Sequence, residues 1–300
     1  MTSTPGATAI LEPGFPLDLV RTLAPLRHGA GDPTIRFASG EAWRGMRTPE
    51  GPVTLRLRAD GPRVQVASWG PGAAWALAAA PGLIGMLDEP QLLVPRDRLI
   101  RDLARRFAGI RLPRTLLPFE ALLPAICEQK VTGREAQLAF RAIVRRHGEP
   151  APGPGGLWLP PEPSVLAGLR YFAFHPLGLE RRRAEVMMRA AATAPRLAEA
   201  APAEVARLLH ALPGIGPWTV AETVRVAYGD PDAVSIGDYH LPNLVAWALA
   251  GEPRADDARM LQLLEPYRGQ RARVQRLLEA SGIRPPRYGP RMSARRIAAM

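Results

Sequence analysis

The sequence has 300 residues, of which 47% are hydrophobic, and its formal net charge at pH 7 is +11. A chain of this length is long for one domain and sufficient for two. The positive charge favours a polyanionic partner, nucleic acid before an anionic membrane surface, although a high arginine content can also follow from genome composition. The single cysteine, Cys127, excludes an internal disulfide, a four-cysteine zinc site and a four-cysteine iron–sulfur cluster.

Residues 1–13 are small and polar, and we predict a flexible tail there. They lack the basic and apolar regions of a secretory signal peptide. No run of 18 apolar residues is free of charges, so the sequence predicts no membrane span. These features lead us to expect a cytoplasmic protein without a membrane partner.

Residues 14–90 are predicted to form a small α/β domain. Apolar and polar residues alternate there and are interrupted by turn sequences such as Ala59-Asp60-Gly61-Pro62, a pattern typical of an antiparallel sheet. Strands are predicted at 34–37, 41–46, 53–59 and 63–68, with short helices at 18–26 and 73–80.

Residues 91–285 have a helical hydrophobic period, which predicts a larger all-α domain and an α+β chain overall. A loop rich in proline and glycine spans 149–163. The basic segment 286–300 suits either a phosphate-contacting tail or a disordered, solvated end. Helices are predicted at 97–108, 119–128, 133–147, 163–168, 180–194, 202–211, 217–229, 238–250, 256–265 and 269–281.

The most informative segment is Leu212-Pro213-Gly214-Ile215-Gly216-Pro217-Trp218-Thr219. Gly214 and Gly216 permit a tight turn, and Pro217 suits the first turn of the next helix because no N–H is needed there. Backbone N–H groups at such a turn and helix start can bind a phosphate, helped by the helix dipole. We interpret the segment as a helix-hairpin-helix that grips the DNA backbone, with Leu212 anchored in the core. An ordinary connection between two helices is the alternative.

The hairpin and two further segments resemble the helix-hairpin-helix DNA glycosylase superfamily. Twenty residues after Trp218 lies Asp238, within Ser235-Ile236-Gly237-Asp238-Tyr239-His240, where the family has an aspartate at the mouth of the base pocket. Upstream, the segment 119–132 resembles the family's helix and turn that reach into the duplex at the flipped base. Together with the α/β domain, the sequence is most similar to bacterial 3-methyladenine DNA glycosylase II, over roughly residues 90–285.

The resemblance implies a monofunctional glycosylase that flips an alkylated purine out of DNA and hydrolyses its N-glycosidic bond. Asp238 would be the catalytic carboxylate, since bond cleavage builds positive charge on the sugar. Trp218 and Tyr239 would form a platform for the cationic base. From the residues alone, Asp238 also suits a helix N-cap, and Trp218 and Tyr239 also suit structural positions.

The resemblance also assigns DNA contacts. In the turn after the first helix, Gln129, Lys130 or Val131 would enter the base stack and fill the gap left by the flipped base. A helix cap for Gln129 and a surface charge for Lys130 are the alternatives. The phosphate-binding hairpin would comprise Leu212, Gly214, Gly216 and Thr219.

Lys130 is the only lysine in the chain. Superfamily members that also cut the DNA backbone have a lysine where this chain has Trp218, and that lysine forms a Schiff base with the sugar. The resemblance therefore implies an abasic product and no lyase activity. Glu222, one helical turn after Trp218, departs from the family pattern, because an aromatic residue there would extend the base pocket.

Tyr267 and Arg268 resemble the family's late proline–aromatic–arginine turn. The resemblance places them at the pocket edge near Asp238, and a plain helix start with a surface arginine is the alternative. No organic cofactor or metal is implied, although the hairpin carbonyls allow a monovalent cation.

Double-stranded DNA with a damaged base is the expected partner of a bacterial, nucleoid-associated monomer without an obligate protein partner. Two other functions stay open from the sequence. One is a glycosylase for oxidised or deaminated bases. The other is a non-catalytic helix-hairpin-helix DNA-binding protein.

Overall fold

The computed structural model describes residues 4–286. Its N-terminal part contains one antiparallel sheet with the strand order β1-β5-β4-β3-β2. The four predicted strands are confirmed to within a few residues. The predicted turn at Gly61-Pro62 is also found, and it brings Asp60 opposite Arg63. The strands are β1 (Ala7–Leu11), β2 (Ile35–Ala38), β3 (Glu41–Thr48), β4 (Gly51–Asp60) and β5 (Arg63–Trp69).

Strand β1 corrects the expectation of a flexible tail over residues 1–13. It pairs with β5, and Ala9 lies opposite Val66. Ala7, Ala9 and Leu11 pack against the core below the sheet. Two of these three inward residues are alanines, so the alternation carries little hydrophobic contrast and the sequence pattern is weak.

Two helices cover one face of the sheet, α1 (Leu19–Leu23) and α2 (Ala73–Leu83). Leu23, Leu55 and Ala76 are fully buried between these layers. This core also includes Leu117, and Val226 packs against it, although both residues belong to the helical part of the chain.

The helical part contains eleven further helices within the described residues. Its core divides into two clusters of buried residues. None of the helices in residues 4–286 is long and apolar enough to cross a membrane. The helices are α3 (Arg98–Arg106), α4 (Pro118–Cys127), α5 (Gly133–His147), α6 (Pro163–Gly168), α7 (Tyr171–Phe174), α8 (Arg181–Glu199), α9 (Pro202–His210), α10 (Pro217–Tyr228), α11 (Leu241–Ala250), α12 (Asp257–Leu264) and α13 (Arg271–Ser281). One core cluster is centred on α4, α5, α8, α9 and α10, and the other on α3, α11, α12 and α13.

The predicted helices are confirmed, with differences at some ends. Helix α11 begins at Leu241 instead of 238 because Asp238 forms the turn before it. Helix α8 continues through Pro195 to Glu199. Helix α7 was not predicted, and the predicted loop 149–163 holds a short strand pair, β6 (Glu149–Pro150) and β7 (Trp158–Leu159). Beyond Pro286, the predicted basic tail lies outside the described residues.

Candidate active site and DNA interface

The hairpin between α9 and α10 is a tight turn that only glycine can complete at one position. The Ile215 N–H donates to Leu212 O over 3.0 Å, and Ile215 is buried in the helical core. Gly214 has a φ of +92°, and a Cβ there would lie 2.3 Å from Val186 Cγ2. The hairpin therefore packs against Val186 of α8 at a distance that leaves no room for a Cβ at position 214.

Gly216 differs from Gly214 in having open space around it. Its φ is −104°, which other residues adopt readily, and a Cβ would meet no atom within 4 Å. It precedes Pro217, the first residue of α10. The first turn of a helix has N–H groups without intrahelical acceptors and a partial positive charge. This end of α10 is therefore suited to an anion that approaches Gly216 closely.

Trp218 and Asp238 contact each other directly. The indole Nε1–H of Trp218 donates to Oδ2 of Asp238 over 3.1 Å. Trp218 is half-buried at the start of α10, and Asp238 is half-buried in the loop before α11. The structure thus brings together the two residues that the resemblance assigns to the base pocket and to catalysis.

Asp238 also organises the start of α11. Its Oδ1 accepts hydrogen bonds from the backbone N–H groups of His240 (2.7 Å) and Leu241 (2.8 Å). The N-cap of α11 is His240, so the N-cap alternative for Asp238 is wrong, although its carboxylate binds the backbone at and just before the first residue of the helix. Oδ2 is directed at Trp218. Three donors fix the orientation of the carboxylate, so it can face a developing positive charge without reorganising.

Tyr239 does not share a wall with Trp218 in this structure. Its side chain is 85% exposed, and its ring makes an edge contact with His240 at a centroid distance of 4.9 Å. The expected pair of aromatic residues is thus not assembled, and Tyr239 lies at the outer surface beside Asp238.

The three candidate residues in the turn between α4 and α5 lie in different environments. Gln129 donates hydrogen bonds to Gly214 O and Thr219 Oγ1, each over 3.0 Å. Val131 packs against the helical core. Lys130 is exposed and has a φ of +54°, a conformation that is uncommon for a residue other than glycine. The turn therefore projects Lys130 alone.

Tyr267 and Arg268 correct the expectation of a pocket edge. Tyr267 is only 4% exposed and packs in the core with α3. Its hydroxyl donates to Asp97 and accepts from the Arg96 N–H. Burial and Asp97 raise the pKa of Tyr267 to about 12. Arg268 is exposed and pairs with Glu265. Both residues precede α13, which begins at Arg271, so the surface arginine of the alternative is found but the helix start is not.

Glu222 lies on α10, one turn after Trp218, and is held in a polar network. Its carboxylate accepts hydrogen bonds from Ser235 and from Arg225. Burial raises the pKa of Glu222, Arg225 and Ser235 oppose the rise, and Glu279 and Glu128 add to it. Gln275 connects Ser235 to Glu279.

A small cavity of about 40 Å³ lies between the sheet domain and the helices beside this network, and neither Trp218 nor Asp238 lines it. Its walls include His28, Glu128 and Glu222, and His28 Nδ1 lies 3.3 Å from Glu128 Oε1. The pairing of His28 with Glu128 could not be predicted from the sequence, since residues 100 positions apart meet only through tertiary packing. Among residues 4–286, no group of three or more His, Cys, Asp or Glu side chains is placed to hold a metal ion.

The sequence matches no protein-family model and no curated protein. Similar solved structures do exist. A 3-methyladenine DNA glycosylase from Archaeoglobus fulgidus has a TM-score of 0.76 at 19% identity, covering 90% of this chain and 97% of that one. The apo form of an 8-oxoguanine glycosylase/lyase from Clostridium acetobutylicum has a TM-score of 0.70 at 13% identity, covering 93% and 97%. A 3-methyladenine DNA glycosylase from Schizosaccharomyces pombe, in complex with abasic DNA, has a TM-score of 0.52 at 18% identity, covering 65% and 96%.

The chain therefore has the fold of the helix-hairpin-helix DNA glycosylases. Glycosylases named for 3-methyladenine and for 8-oxoguanine share this fold. A substrate assignment must accordingly rest on the residues of this chain.

Proposed function

We propose that the protein is a monofunctional DNA glycosylase that removes alkylated purines from double-stranded DNA. The observation that carries the proposal is the Trp218–Asp238 contact, formed at the start of the same helix that the hairpin leads into. The proposed phosphate-binding hairpin, the Trp218 ring and the oriented Asp238 carboxylate therefore belong to one site.

The reaction breaks the bond between C1′ of the sugar and the base nitrogen. The bonding electrons leave with the base, and C1′ becomes positively charged. The Asp238 carboxylate stabilises this charge and orients a water molecule, whose oxygen bonds to C1′ while its proton passes to the carboxylate or to solvent. The products are the free base and an abasic site.

DNA binding is proposed to use the hairpin and the turn between α4 and α5. Gly216 and the N-terminus of α10 bind a phosphate. Lys130 enters the gap left by the flipped base, because Gln129 and Val131 are engaged within the protein. A monovalent cation at the hairpin stays a proposal: Leu212 O and Gly214 O already accept hydrogen bonds, and each retains a second lone pair.

The preference for alkylated purines is supported by charge. Purines methylated at N3 or N7 carry a positive charge, which makes the base a good leaving group. The Trp218 ring face favours such a cation. With tryptophan at position 218, no lysine amine is present there to form a Schiff base.

The test is base release from defined duplexes by the wild type and by Asp238→Asn. The duplexes carry 7-methylguanine, 8-oxoguanine or uracil. We expect release of 7-methylguanine only, and a decrease of about 10²–10³-fold in Asp238→Asn. Asp256→Asn is the matched control, because Asp256 caps α12 and asparagine caps equally well.

Each result has a defined meaning. Release of 8-oxoguanine or uracil instead of 7-methylguanine would replace the substrate class. No release of any base, with DNA binding retained, would favour a non-catalytic DNA-binding protein.

A further inference from the structure

We propose that Gln129 is a positioning residue that couples the DNA-entering turn to the phosphate hairpin. The inference rests on the proposed function, since it concerns how that site meets DNA. Gln129 fixes where Lys130 stands relative to the bound phosphate, and it does not itself enter the base stack.

The first observation is the use of both amide hydrogens of Gln129. Nε2 donates one hydrogen bond to Gly214 O and one to Thr219 Oγ1. A side-chain amide has two N–H donors, so both are engaged with the hairpin and the first turn of α10. Thr219 is buried, which makes it a fixed partner. A side chain held from two sides is not free to fill a gap in DNA.

The second observation is that α8 supports both partners of this contact. Arg183 is 1% exposed and donates hydrogen bonds to the carbonyls of Cys127 and Gly178. It therefore anchors the end of α4 directly before the turn. Six residues further along α8, Arg189 donates to Pro213 O in the hairpin over 3.2 Å. The turn and the hairpin thus rest on one helix and are joined above it by Gln129.

The third observation is the environment of the neighbouring residue. Lys130 is exposed at the tip of the turn, and its backbone has a left-handed conformation. The following residues begin α5, where Thr132 and Glu135 form a reciprocal capping box. The turn is consequently fixed on both sides of Lys130. With Gln129 in place, seating the hairpin on a phosphate brings Lys130 to a fixed depth in the duplex.

Phosphate binding and base opening therefore depend on different sets of contacts. Phosphate binding needs only the hairpin, whereas base opening needs the hairpin and Lys130 at the correct separation. Loss of the Gln129 contact therefore lowers base opening and base release and leaves the affinity for undamaged duplex unchanged.

The experiment is a double-mutant cycle with Gln129→Met and Thr219→Val. Methionine is similar in length to glutamine but lacks both donors, and valine keeps the shape of threonine without the hydroxyl. Single-turnover release of 7-methylguanine is measured for both single variants and the double variant. Gln137→Met, at an exposed glutamine on α5, is the matched control.

We expect each single variant to lower base release about tenfold and the double variant to equal the single variants. In Gln129→Met, affinity for undamaged duplex should stay within about twofold of the wild type, because Gly216 and the N-terminus of α10, the proposed phosphate contacts, are unaltered. Independent, multiplying effects would overturn the proposal, since they would mean that Gln129 acts on DNA directly. Unchanged release in Gln129→Met would overturn it as well.

A second readout is independent of the chemistry. In the Asp238→Asn background, 2-aminopurine placed beside 7-methylguanine reports base opening by its fluorescence. We expect Gln129→Met to reduce the fluorescence increase several-fold. Gln129→Glu, which is nearly isosteric, should have the same effect, and it replaces the Thr219 variant if that variant fails to fold. Normal opening in both Gln129 variants would contradict the coupling. Absence of base release in the wild type, with opening that still depends on Gln129, would contradict the proposed function alone.

Discussion

The indole nitrogen of Trp218 lies 3.1 Å from Oδ2 of Asp238 and donates a hydrogen bond to it. The contact joins the first turn of α10 to the loop before α11. Trp218, the residue proposed to stack on the base, thereby also orients the Asp238 carboxylate, so the two proposed roles depend on each other.

Trp218→Phe separates these functions, because phenylalanine keeps an aromatic ring but has no N–H donor. A hydrogen bond to a charged group contributes about 1.5–3 kcal/mol, so we expect single-turnover base release to fall at least tenfold with little change in DNA affinity. Trp247→Phe, at a half-buried tryptophan on α11, should leave the rate unchanged. A normal rate in Trp218→Phe would show that the indole N–H does not assist Asp238.

The two hairpin glycines should respond differently to alanine. Gly214→Ala places a Cβ against Val186 in a left-handed conformation that costs about 1–2 kcal/mol by itself, so its melting temperature should fall. Gly216→Ala meets no atom and should change the free energy of unfolding by less than about 0.5 kcal/mol. It should nevertheless weaken duplex binding about tenfold, because the new methyl group displaces the phosphate. Unchanged duplex affinity in Gly216→Ala would argue against a phosphate at this position.

The protein should leave the abasic product uncut. Sodium borohydride traps a Schiff base between a lysine amine and the opened sugar as a covalent adduct. We expect no adduct on a denaturing gel, since Trp218 provides no amine and Lys130 is the only lysine. If an adduct forms, Lys130→Arg will show whether the amine that enters the gap is responsible.

The Cys127 thiol should be unreactive in the folded protein. Burial raises its pKa to about 12, with Arg183 opposing the rise. At pH 8 only about one molecule in ten thousand would then carry the reactive thiolate. A thiol reagent such as dithionitrobenzoate should therefore label Cys127 only as the chain unfolds, with one equivalent per chain in denaturant. Complete labelling of the native protein within minutes would contradict this.

Tyr267→Phe tests the assignment of Tyr267 to the core. Loss of its hydroxyl leaves Asp97 and the Arg96 N–H without this partner, which should cost about 1–3 kcal/mol of stability and leave base release unchanged. The unfolded tyrosine ionises near pH 10 and the folded one at about 12. The wild type should therefore lose this stabilisation as the pH rises between those values, and the variant should not. A reduced rate of base release would instead return Tyr267 to the active site.

Local patterns were sufficient to predict most of the secondary structure and the hairpin. The spacing of Gly214, Gly216 and Pro217 determines a turn and a helix start, and both are found where the sequence indicates. Alternation between Glu41 and Ser68 was strong because valines and leucines face inward. The same reasoning failed for β1, whose inward residues are mainly alanines.

Contacts between distant segments could not be predicted from such patterns. Gln129 was expected in DNA or at a helix end, and its partners Gly214 and Thr219 follow it by 85 and 90 residues. Tyr267 lies in a sequence that resembles a pocket edge, yet Asp97, the N-cap residue of α3, provides a partner for its hydroxyl. In both cases, tertiary packing selects one of two roles that the local sequence permits equally.

Leu117 and Val226 connect the site to the sheet domain in a further way. Leu117 directly precedes α4 and Val226 lies on α10, and both complete the apolar core beneath the sheet. A cut near residue 90 would thus leave two fragments with exposed apolar surface, and heating should unfold the described parts together. The sheet contains none of the proposed catalytic residues, yet it stabilises the helices that carry them. Substitutions that destabilise the sheet should therefore inactivate the protein at elevated temperature, although Asp238 is unchanged.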